Sequence, residues 1–453
     1  MTKSTAVILA AGLGKRMNSA LPKVLHPLAG KPMIAYALEA AKSATSEKPV
    51  VVIGNGAEAV QATVGEAACF VRQAEQLGTG HAVLQAEAVL KGQSDLVLVT
   101  YSDMPLLRGE TLQRLVETQR ANSGPITLLT VVLADSHGFG RIVRGADGKV
   151  REIVEEAVAT PEQRAIHELN VGAYCFEADW LWPALHRIPL SAKGEYFLTD
   201  LVGLAVADGR EVQTLQTADV SEMIGVNTRV HLAETEKIMR KRINTAWMEA
   251  GVSMIDPETT YIEAGVKIGR DTVIWPNTYL KGKTVVGEGC TLGPNTIIED
   301  TTVGDHCTLL AAVLEGAVVE NHVSMGPFGH LRKGAHLADH VHMGNFGEVK
   351  SSYLGPGTKM GHFSYLGDAT IGENVNIGAG TITCNFDGVN KNKTVIGDNA
   401  FIGSDTMLVA PLNIGEGART GAGSVVTHDV PENTVVVGVP ARPFDKKKPE
   451  ARE

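Results

Sequence analysis

The hydrophobic pattern changes once along the chain. Through the first 226 residues, short runs rich in β-branched and aliphatic residues (7–10, 50–53, 96–101, 126–132) alternate with stretches of helical periodicity (33–43, 79–90, 109–120). That alternation predicts an α/β domain around a mostly parallel, Rossmann-like sheet. Residues 228–250 read as one long helix rich in Glu, Lys and Arg, with Asn227 or Thr228 as N-cap and Gly251 as the stop. At 1.5 Å per residue it reaches roughly 30 Å, so 227–250 is expected to be a linking arm.

Beyond residue 251 the period is six. Aliphatic residues recur at Ile262, Ile268, Ile274, Leu280, Val286, Leu292 and Ile298. After a one-residue slip they resume at Val313, Val319, Met325, Leu331, Leu337, Met343 and Val349, and the rhythm runs on to Ile414. Four positions after the aliphatic stands a small or β-branched residue, as at Thr272, Thr278, Thr284, Cys290, Thr296, Thr358, Ser364, Thr370 and Thr381. One buried aliphatic and one small inward residue per hexad fit a triangular coil, each hexad giving a strand and a tight corner. The expected fold of 251–444 is therefore a left-handed parallel β-helix, an exception to the right-handed crossover rule. Cys290 and Cys307 fall at small inward positions, so packing accounts for them. The tail 445–453 reads as unstructured.

Composition narrows the classes. With 453 residues and 44% hydrophobic content, the chain is long enough for two or three domains with real cores. It carries 41 Lys and Arg against 51 Asp and Glu, a net charge of −10, so it lacks the counter-charge that nucleic acid requires. No apolar stretch is long enough for a membrane span. Five scattered cysteines without CxxC spacing argue against a disulfide framework and structural zinc, and make the cytoplasm the expected location. Of the 49 glycines, 29 lie after residue 250, where tight corners need them.

Candidate chemistry appears in both halves. Leu9-Ala10-Ala11-Gly12-Leu13-Gly14-Lys15-Arg16-Met17 follows the first strand and is expected to open a helix, a setting in which backbone N–H groups approach an anion. It is neither a Walker A loop nor GxGxxG. Arg16 and Lys23 add cations suited to a triphosphate. Asp103 ends the run 96–101, where α/β folds bind ligands; it suits Mg²⁺, with a turn-capping aspartate as the alternative. In the second half, Arg332 and Lys350 are 18 residues apart, one full coil, so they should stand side by side, either as a phosphate clamp or as a tolerated pair of surface cations. Tyr365 falls near the same ladder. His330, His336 and His342 are spaced by six and point from three sides, so they cannot converge on a metal within one chain. His322 and His340 can stack, but two ligands make no zinc site.

Together with Gln73-x4-Gly78-Thr79-Gly80-His81-Ala82, Gly138-Phe139-Gly140-Arg141-Ile142 and Gly225-Val226-Asn227, these residues resemble the sugar-1-phosphate nucleotidyltransferases. The motif Gly361-His362-Phe363-Ser364-Tyr365-Leu366-Gly367-Asp368 narrows the match. In order along residues 4–444, the motifs resemble the bacterial bifunctional N-acetylglucosamine-1-phosphate uridyltransferases / glucosamine-1-phosphate acetyltransferases. The resemblance implies a uridyltransferase domain over 1–226, the arm, and an acetyltransferase domain over 251–444. Leu9, Ala10, Ala11, Gly12, Arg16 and Lys23 would then hold the phosphates of UTP, with Arg16 and Lys23 neutralising charge in the reaction. Gln73, Gly78 and Thr79 would read uracil. Gly140, Glu155 and Asn170 would hold the sugar of N-acetylglucosamine-1-phosphate, Tyr101 and Ser102 would be further substrate contacts, and Asp103 and Asn227 would bind Mg²⁺.

In the second half the same resemblance makes His362 the general base for attack of glucosamine-1-phosphate on acetyl-CoA. Arg332, Lys350, Tyr365 and Asn376 would hold the sugar phosphate. Ala379, Asn385, Phe386, Ser404 and Ala422 would line the acetyl-CoA channel, Cys384 being wall. The chain lacks the family's arginine just before Pro440, and Arg442 is expected to replace it. Ser102 and Leu13 are further departures, standing where Gly and Lys are common. Residues 385–394 break the hexad rhythm as a loop, whose Lys391 and Lys393 either meet coenzyme phosphates or are simply solvated. The product would be UDP-N-acetylglucosamine, a precursor for peptidoglycan and lipopolysaccharide, and the implied assembly is a homotrimer with acetyl sites between subunits. Two other readings stay open: a nucleotidyltransferase of different base or sugar choice, and a β-helix that is only a scaffold.

Overall fold

The computed structural model describes residues 2–134 and 138–444, the side chain of Ala157 excepted. The expected unstructured tail, 445–453, lies outside the described residues. The chain divides into two compact units between Met239 and Arg240.

The first unit is built on a nine-stranded sheet. Its strands are β1 (Ser4–Ala10), β2 (Val50–Ile53), β3 (Cys69–Arg72), β4 (Leu96–Tyr101), β5 (Ile126–Val132), β6 (Arg141–Arg144), β7 (Val150–Val154), β8 (Glu168–Glu177) and β9 (Val212–Gln216). The spatial order is β9-β5-β8-β4-β1-β2-β3, with the β6–β7 hairpin hung from β8. β1 runs parallel to β2 and β4, β2 to β3, and β5 to β9. Alternate residues serve two cores: Ile8, Val51 and Leu98 pack on one face, and Val7, Val52 and Val99 on the other. Burial on both faces is why these strands read as continuous apolar runs.

The sequence pattern departs from the structure in three places. β8 is antiparallel to β4 and β5 and is inserted between them; the expectation placed no strand there. The expected helix 79–90 is broken into Thr79–Leu84 and Glu87–Leu90. The loop after β1 opens no α-helix. It leads into one 3-10 turn, Lys15–Met17, which ends where Asn18 turns left-handed (φ 46°). A single turn has too few aligned peptide dipoles to attract an anion, so loop N–H groups and cations must do that work.

The helix Arg229–Glu249 is capped as expected: Thr228 Oγ1 accepts from His231 N at 3.2 Å, and Gly251 ends it at φ 98°. In the second unit its face is fixed by Asn244, whose buried Nδ2 donates to the carbonyls of Pro257 (2.8 Å) and Thr260 (3.0 Å). The Arg240 guanidinium lies 4.4 Å from the Tyr261 ring centre.

The rest of this unit is a triangular coil whose short strands form three sheets of 12, 10 and 9 strands. They begin at Ser253–Met254, Thr260–Ile262 and Lys267–Ile268, and each strand pairs in parallel with one a coil away, except the last, Ala441–Pro443, which closes an antiparallel hairpin. The slip expected before Val313 is made of several short steps. Five-residue steps occur from Ile298 to Val303, Leu309 to Leu314 and Leu314 to Val319, so Leu314, not Val313, is the buried residue. A later five-residue step turns Thr370 outward and puts Ala369 inside. Inward threonines do more than fill space. Thr278, Thr284 and Thr381 each donate at 2.7 Å to a corner carbonyl, of Trp275, Lys281 and Gly378 respectively. The Lys281 and Gly378 carbonyls accept backbone N–H groups as well, whereas the Trp275 carbonyl has no other donor among the described residues.

His330, His336 and His342 sit in three different sheets, as their spacing requires. His306, His322 and His340 stack along one corner, with ring centres 5.2 and 4.8 Å apart. Among the described residues no group of three or more His, Cys, Asp or Glu is placed to hold a metal ion, and no helix is long and apolar enough to cross a membrane. Thr278→Val keeps the shape but strips the Trp275 carbonyl of its donor. We predict a loss of about 1–3 kcal/mol, read as a lower denaturant midpoint for the second unit; an unchanged midpoint would show that the bond contributes nothing.

Candidate active sites

A cleft of about 270 Å³ opens at the ends of β1 and β4. It is lined by Leu9, Ala10, Ala11, Gly12, Lys23, Gln73, Gly78, Thr79, Tyr101, Ser102 and Asp103, which the sequence singled out, and by Gln76, Glu195 and Phe197, which it did not. Backbone bonds assemble its floor. Ser102 N and Oγ both donate to Leu9 O (3.1 and 2.7 Å), tying β4's exit to β1 and committing the hydroxyl to the sheet. Val226 N donates to Asp103 O at 2.8 Å, which brings Asn227 alongside the carboxylate. The Lys23 ammonium bonds to Asp103 Oδ2 and lies 3.2 Å from Asn227 Oδ1. Gly14 allows this approach: at φ 58° a Cβ there would meet Lys23 Cβ at 2.8 Å. Arg16 is exposed on the 3-10 turn and Leu13 is exposed in the loop; neither lines the cleft.

The wall opposite is the loop 77–80, braced by residues 195–198. Tyr196 N donates to Leu77 O and Gly80 N to Tyr196 O, both at 2.8 Å, while Leu198 N donates to Thr79 Oγ1 at 3.0 Å. Gly78, at φ 102°, presses so close that a Cβ would sit 2.6 Å from Tyr196 O. Glu195 and Phe197 come with that bracing segment, and no spacing rule flags them.

The remaining residues of the first site form a second group beside the cleft. Asn170 N donates to Gly140 O (2.9 Å), and Asn170 Nδ2 to Tyr174 Oη (2.6 Å). Glu155 accepts from Thr199 Oγ1 at 3.3 Å. Tyr101 joins the groups. Burial, then the charges of Asp103 and Glu155, push its phenol well above the usual tyrosine range. Burial and Glu155 likewise raise the Asp200 carboxyl.

In the second unit, pairing of Leu331 with Val349 and of Val349 with Leu366 puts Arg332, Lys350 and Tyr365 on one sheet. Arg332 N donates to Val349 O at 2.9 Å and its guanidinium to Glu348 Oε1 at 3.0 Å. Lys350 is the register partner of Gly367, whose missing side chain makes room for the Tyr365 hydroxyl. A third cation joins them. The loop 385–393 folds back on itself: Phe386 bridges to Lys391, Asn392 N donates to Asn385 O (2.7 Å), and Asp387 Oδ1 takes the N–H groups of Val389 (2.8 Å) and Asn390 (2.6 Å). This places the Lys391 ammonium beside Lys350. Lys391 first and Arg332 second hold the Lys350 pKa below the usual lysine value, with Asp368 pulling the other way. Asp368 in turn accepts from Asn385 Nδ2 at 2.5 Å.

Asn376 does not share that sheet. It pairs with Lys359 and Phe401 on the 12-stranded face, across the corner that carries His362. His362 is exposed and makes no hydrogen bond among the described residues. Ala379, Ser404 and Ala422 continue the same corner coil by coil: Gly380 N donates to Phe363 O (2.7 Å), Asp405 N to Ala379 O (2.6 Å) and Gly423 N to Ser404 O (2.8 Å). Phe386 is exposed and Asn385 buried just past the strand Ile382–Cys384, which pairs with Tyr365; burial raises the thiol of half-buried Cys384. Arg442 lies on the hairpin that ends the 12-stranded sheet, its guanidinium 2.9 Å from Ala441 O.

The cation cluster predicts that Lys391→Ala lets the Lys350 pKa climb back toward the ordinary lysine value, read by NMR titration of labelled lysines. Because folding lowers this pKa, the folded state gains stability as pH rises from the lowered value toward the unfolded one, and Lys391→Ala should flatten that gain. An unmoved Lys350 titration would place Lys391 outside the cluster.

Both units resemble known proteins. The MobA-like NTP transferase domain family matches residues 6–172, the hexapeptide repeat of succinyl-transferase family matches 283–313, and the six-repeat bacterial transferase hexapeptide family matches 393–428. Proteins named bifunctional protein GlmU match along nearly the whole chain. The one from Trichlorobacter lovleyi is 48% identical over 441 residues, 96% of each chain. That from Desulfitobacterium hafniense is 47% identical over 433 residues, 95% of each, and that from Shouchella clausii 44% identical over 438 residues, 96% of each. A nucleotidyltransferase unit and a hexapeptide-repeat transferase unit, joined in one sequence at this level of identity, place the chain in the family of bifunctional GlmU proteins.

Proposed function

We propose that the chain makes UDP-N-acetylglucosamine in two steps: acetyl transfer from acetyl-CoA to glucosamine-1-phosphate in the second unit, then uridylyl transfer from UTP to N-acetylglucosamine-1-phosphate in the first. The observation that carries this reading is the floor of the first cleft, where the Lys23 ammonium lies between Asp103 and Asn227 beneath the loop 9–12. Two side-chain oxygens already gathered round one cation suit Mg²⁺, which takes one or two protein oxygens and completes its shell with phosphate and water. Bound there by Asp103 and Asn227, Mg²⁺ would neutralise phosphate charge. Lys23 would then turn its ammonium to the triphosphate, joined by Arg16.

In the first unit the phosphate oxygen of the sugar-1-phosphate attacks the α-phosphorus of UTP, and the bond to the β-phosphate oxygen breaks, releasing pyrophosphate. No covalent enzyme intermediate is required. The protein's part is alignment and charge neutralisation. Leu9, Ala10, Ala11 and Gly12 offer backbone N–H groups to the triphosphate. Gln73, Gly78 and Thr79 face the uracil. Tyr101, Ser102, Gly140, Glu155 and Asn170 shape the sugar side.

In the second unit Arg332, Lys350 and Lys391 hold the phosphate of glucosamine-1-phosphate, with Tyr365 beside them. A dianion there converts mutual repulsion into attraction, which is why Lys391 belongs with the sugar phosphate rather than with the coenzyme. Asn376 reaches the sugar from the other side of the His362 corner. His362, whose ring nitrogens have no hydrogen-bond partner among the described residues, takes the amine proton as the nitrogen attacks the thioester carbonyl and the CoA thiolate departs. The small residues Ala379, Ser404 and Ala422 leave that corner open for the pantetheine arm, with Asn385 and Phe386 as further contacts and Arg442 as a candidate for its anionic end.

The acetyl site is completed by trimerisation. Phe328 and Phe346, each 60% exposed, stack with ring centres 5.2 Å apart, and Phe363 is 56% exposed next to His362. An aromatic edge of that kind favours burial against another copy. Five free cysteines fit a reducing cytoplasm.

Two independent sites predict separable losses. With purified chain, glucosamine-1-phosphate, acetyl-CoA, UTP and Mg²⁺, His362→Ala should abolish acetyl transfer and spare uridylyl transfer, and Asp103→Ala should do the reverse. Joint loss in either variant would refute separate sites. Lys350→Ala should weaken glucosamine-1-phosphate binding more than acetyl-CoA binding in calorimetric titrations; equal weakening would sink the phosphate assignment.

A further inference from the structure

We propose that His81 is a positioning residue that sets the pyrimidine preference of the first unit, by fixing which end of the Gln73 amide faces the base. The inference rests on the reading above that Gln73 meets the base.

Gln73 is 4% exposed at the end of β3, and its amide is held from one side only. Nε2 donates to Gly78 O at 3.1 Å and lies 3.1 Å from His81 Nδ1. Both N–H bonds are thereby used, while Oε1 has no protein partner among the described residues. An amide carries two donors on nitrogen and two acceptor sites on oxygen, so the end left for a ligand is the acceptor. Turned over, the amide would set Oε1 against the Gly78 carbonyl and against the Nδ1 lone pair, two acceptor–acceptor contacts where no water can relieve them. Gly78 cannot swing away, because Tyr196 and Leu198 pin the loop on both sides of it.

His81 does not line the cleft; it stands one step behind, on the helix Thr79–Leu84. Its Nδ1 can accept from Gln73 only in the neutral tautomer that carries the proton on Nε2. Nε2 faces the Gln85 amide at 3.1 Å, and Gln85 Nε2 also donates to the His81 carbonyl at 3.0 Å. A ring N–H needs an acceptor, so one amide must turn; Gln85 then gives up its bond to the His81 carbonyl and must swing its Oε1 clear of it, which half-buried Gln85 can do with water at hand and buried Gln73 cannot. The conflict is settled at the wetter end of the chain Gln73–His81–Gln85.

The outcome selects a base. Uracil presents N3–H, a donor, which Gln73 Oε1 accepts. Cytosine presents an unprotonated N3, whose lone pair meets the same oxygen and repels it. Sites that hydrogen-bond a ligand group reject analogues lacking it far more strongly than apolar pockets do.

The test compares UTP with CTP as nucleotidyl donors for the full chain, taking the ratio of kcat/KM values, with the thermal unfolding of the first unit, followed by circular dichroism, as the check on folding. His81→Ala should lower the UTP/CTP ratio by about tenfold or more, chiefly by improving use of CTP relative to UTP. His81→Asn, whose Oδ1 replaces the Nδ1 acceptor, should restore the ratio to within about threefold of wild type. Gln73→Ala separates the proposal from the reading it rests on. If Gln73→Ala leaves the ratio intact, Gln73 does not face the base and the reading falls. If Gln73→Ala collapses the ratio but His81→Ala does not, the reading stands and the role of His81 is overturned. Should His81→Ala fail to fold, ¹⁵N shifts of labelled histidine in the wild-type chain decide: protonated Nε2 at His81, assigned by its loss in His81→Asn, supports the proposal, and protonated Nδ1 overturns it.

Discussion

Register is the constraint on which both sites depend. In the coil, each strand residue donates to a carbonyl one turn away, as Arg332 N does to Val349 O at 2.9 Å, so residues about one turn apart in sequence become lateral neighbours. The ladder does not bend to suit a side chain, because every rung is held by its two neighbours. Arg332, Lys350 and Tyr365 face one ligand because counting puts them there. In the first unit the equivalent ties are few but equally strict: Ser102 N to Leu9 O and Val226 N to Asp103 O bring three distant segments to one floor.

Against that regular background, reactive groups collect where regularity stops. Asp103 lies just past a strand end, Lys23 opens the short 3-10 turn Lys23–Leu25, and Lys391 rides on the interruption at 385–393. The loop is itself ordered: Asp387 caps it from within, and backbone N–H groups of Asn390 and Val389 hold that carboxyl below the usual aspartate range. A rigid frame with a few braced departures lets charges of one sign approach each other, as Lys350 and Lys391 do, without the structure relaxing to separate them.

Much of this was legible in the sequence, for reasons that particular residues make plain. A six-residue period with buried aliphatics survives in plain text because each coil repeats the same physical problem. Strands β1, β2, β4 and β5 were visible as unbroken apolar runs, since both of their faces are covered. β8 was missed because its pairing is antiparallel and interrupted at Gly172, between Asn170 and Tyr174. The missing helix after Gly14 was hidden by a glycine-rich pattern that serves a 3-10 turn equally well. Asn376 is on another face because it lies two strands beyond Tyr365, past Ile371, in a three-sided coil; it entered through the family motif, which carries no such count. Lys391 was found as a loop lysine, but its neighbours emerged only once the loop had a shape.

The five-residue steps have a consequence for how such a coil drifts over generations. A residue lost at a corner shortens that turn, yet the strands on either side keep their partners: Leu314 still pairs with Leu331, and Leu366 with Val349. Deletions are damped at the nearest bend instead of being passed up the column. The scaffold can therefore change its length in small decrements while the catalytic neighbourhood stays in place, and a lineage can trim it without having to reinvent what it carries.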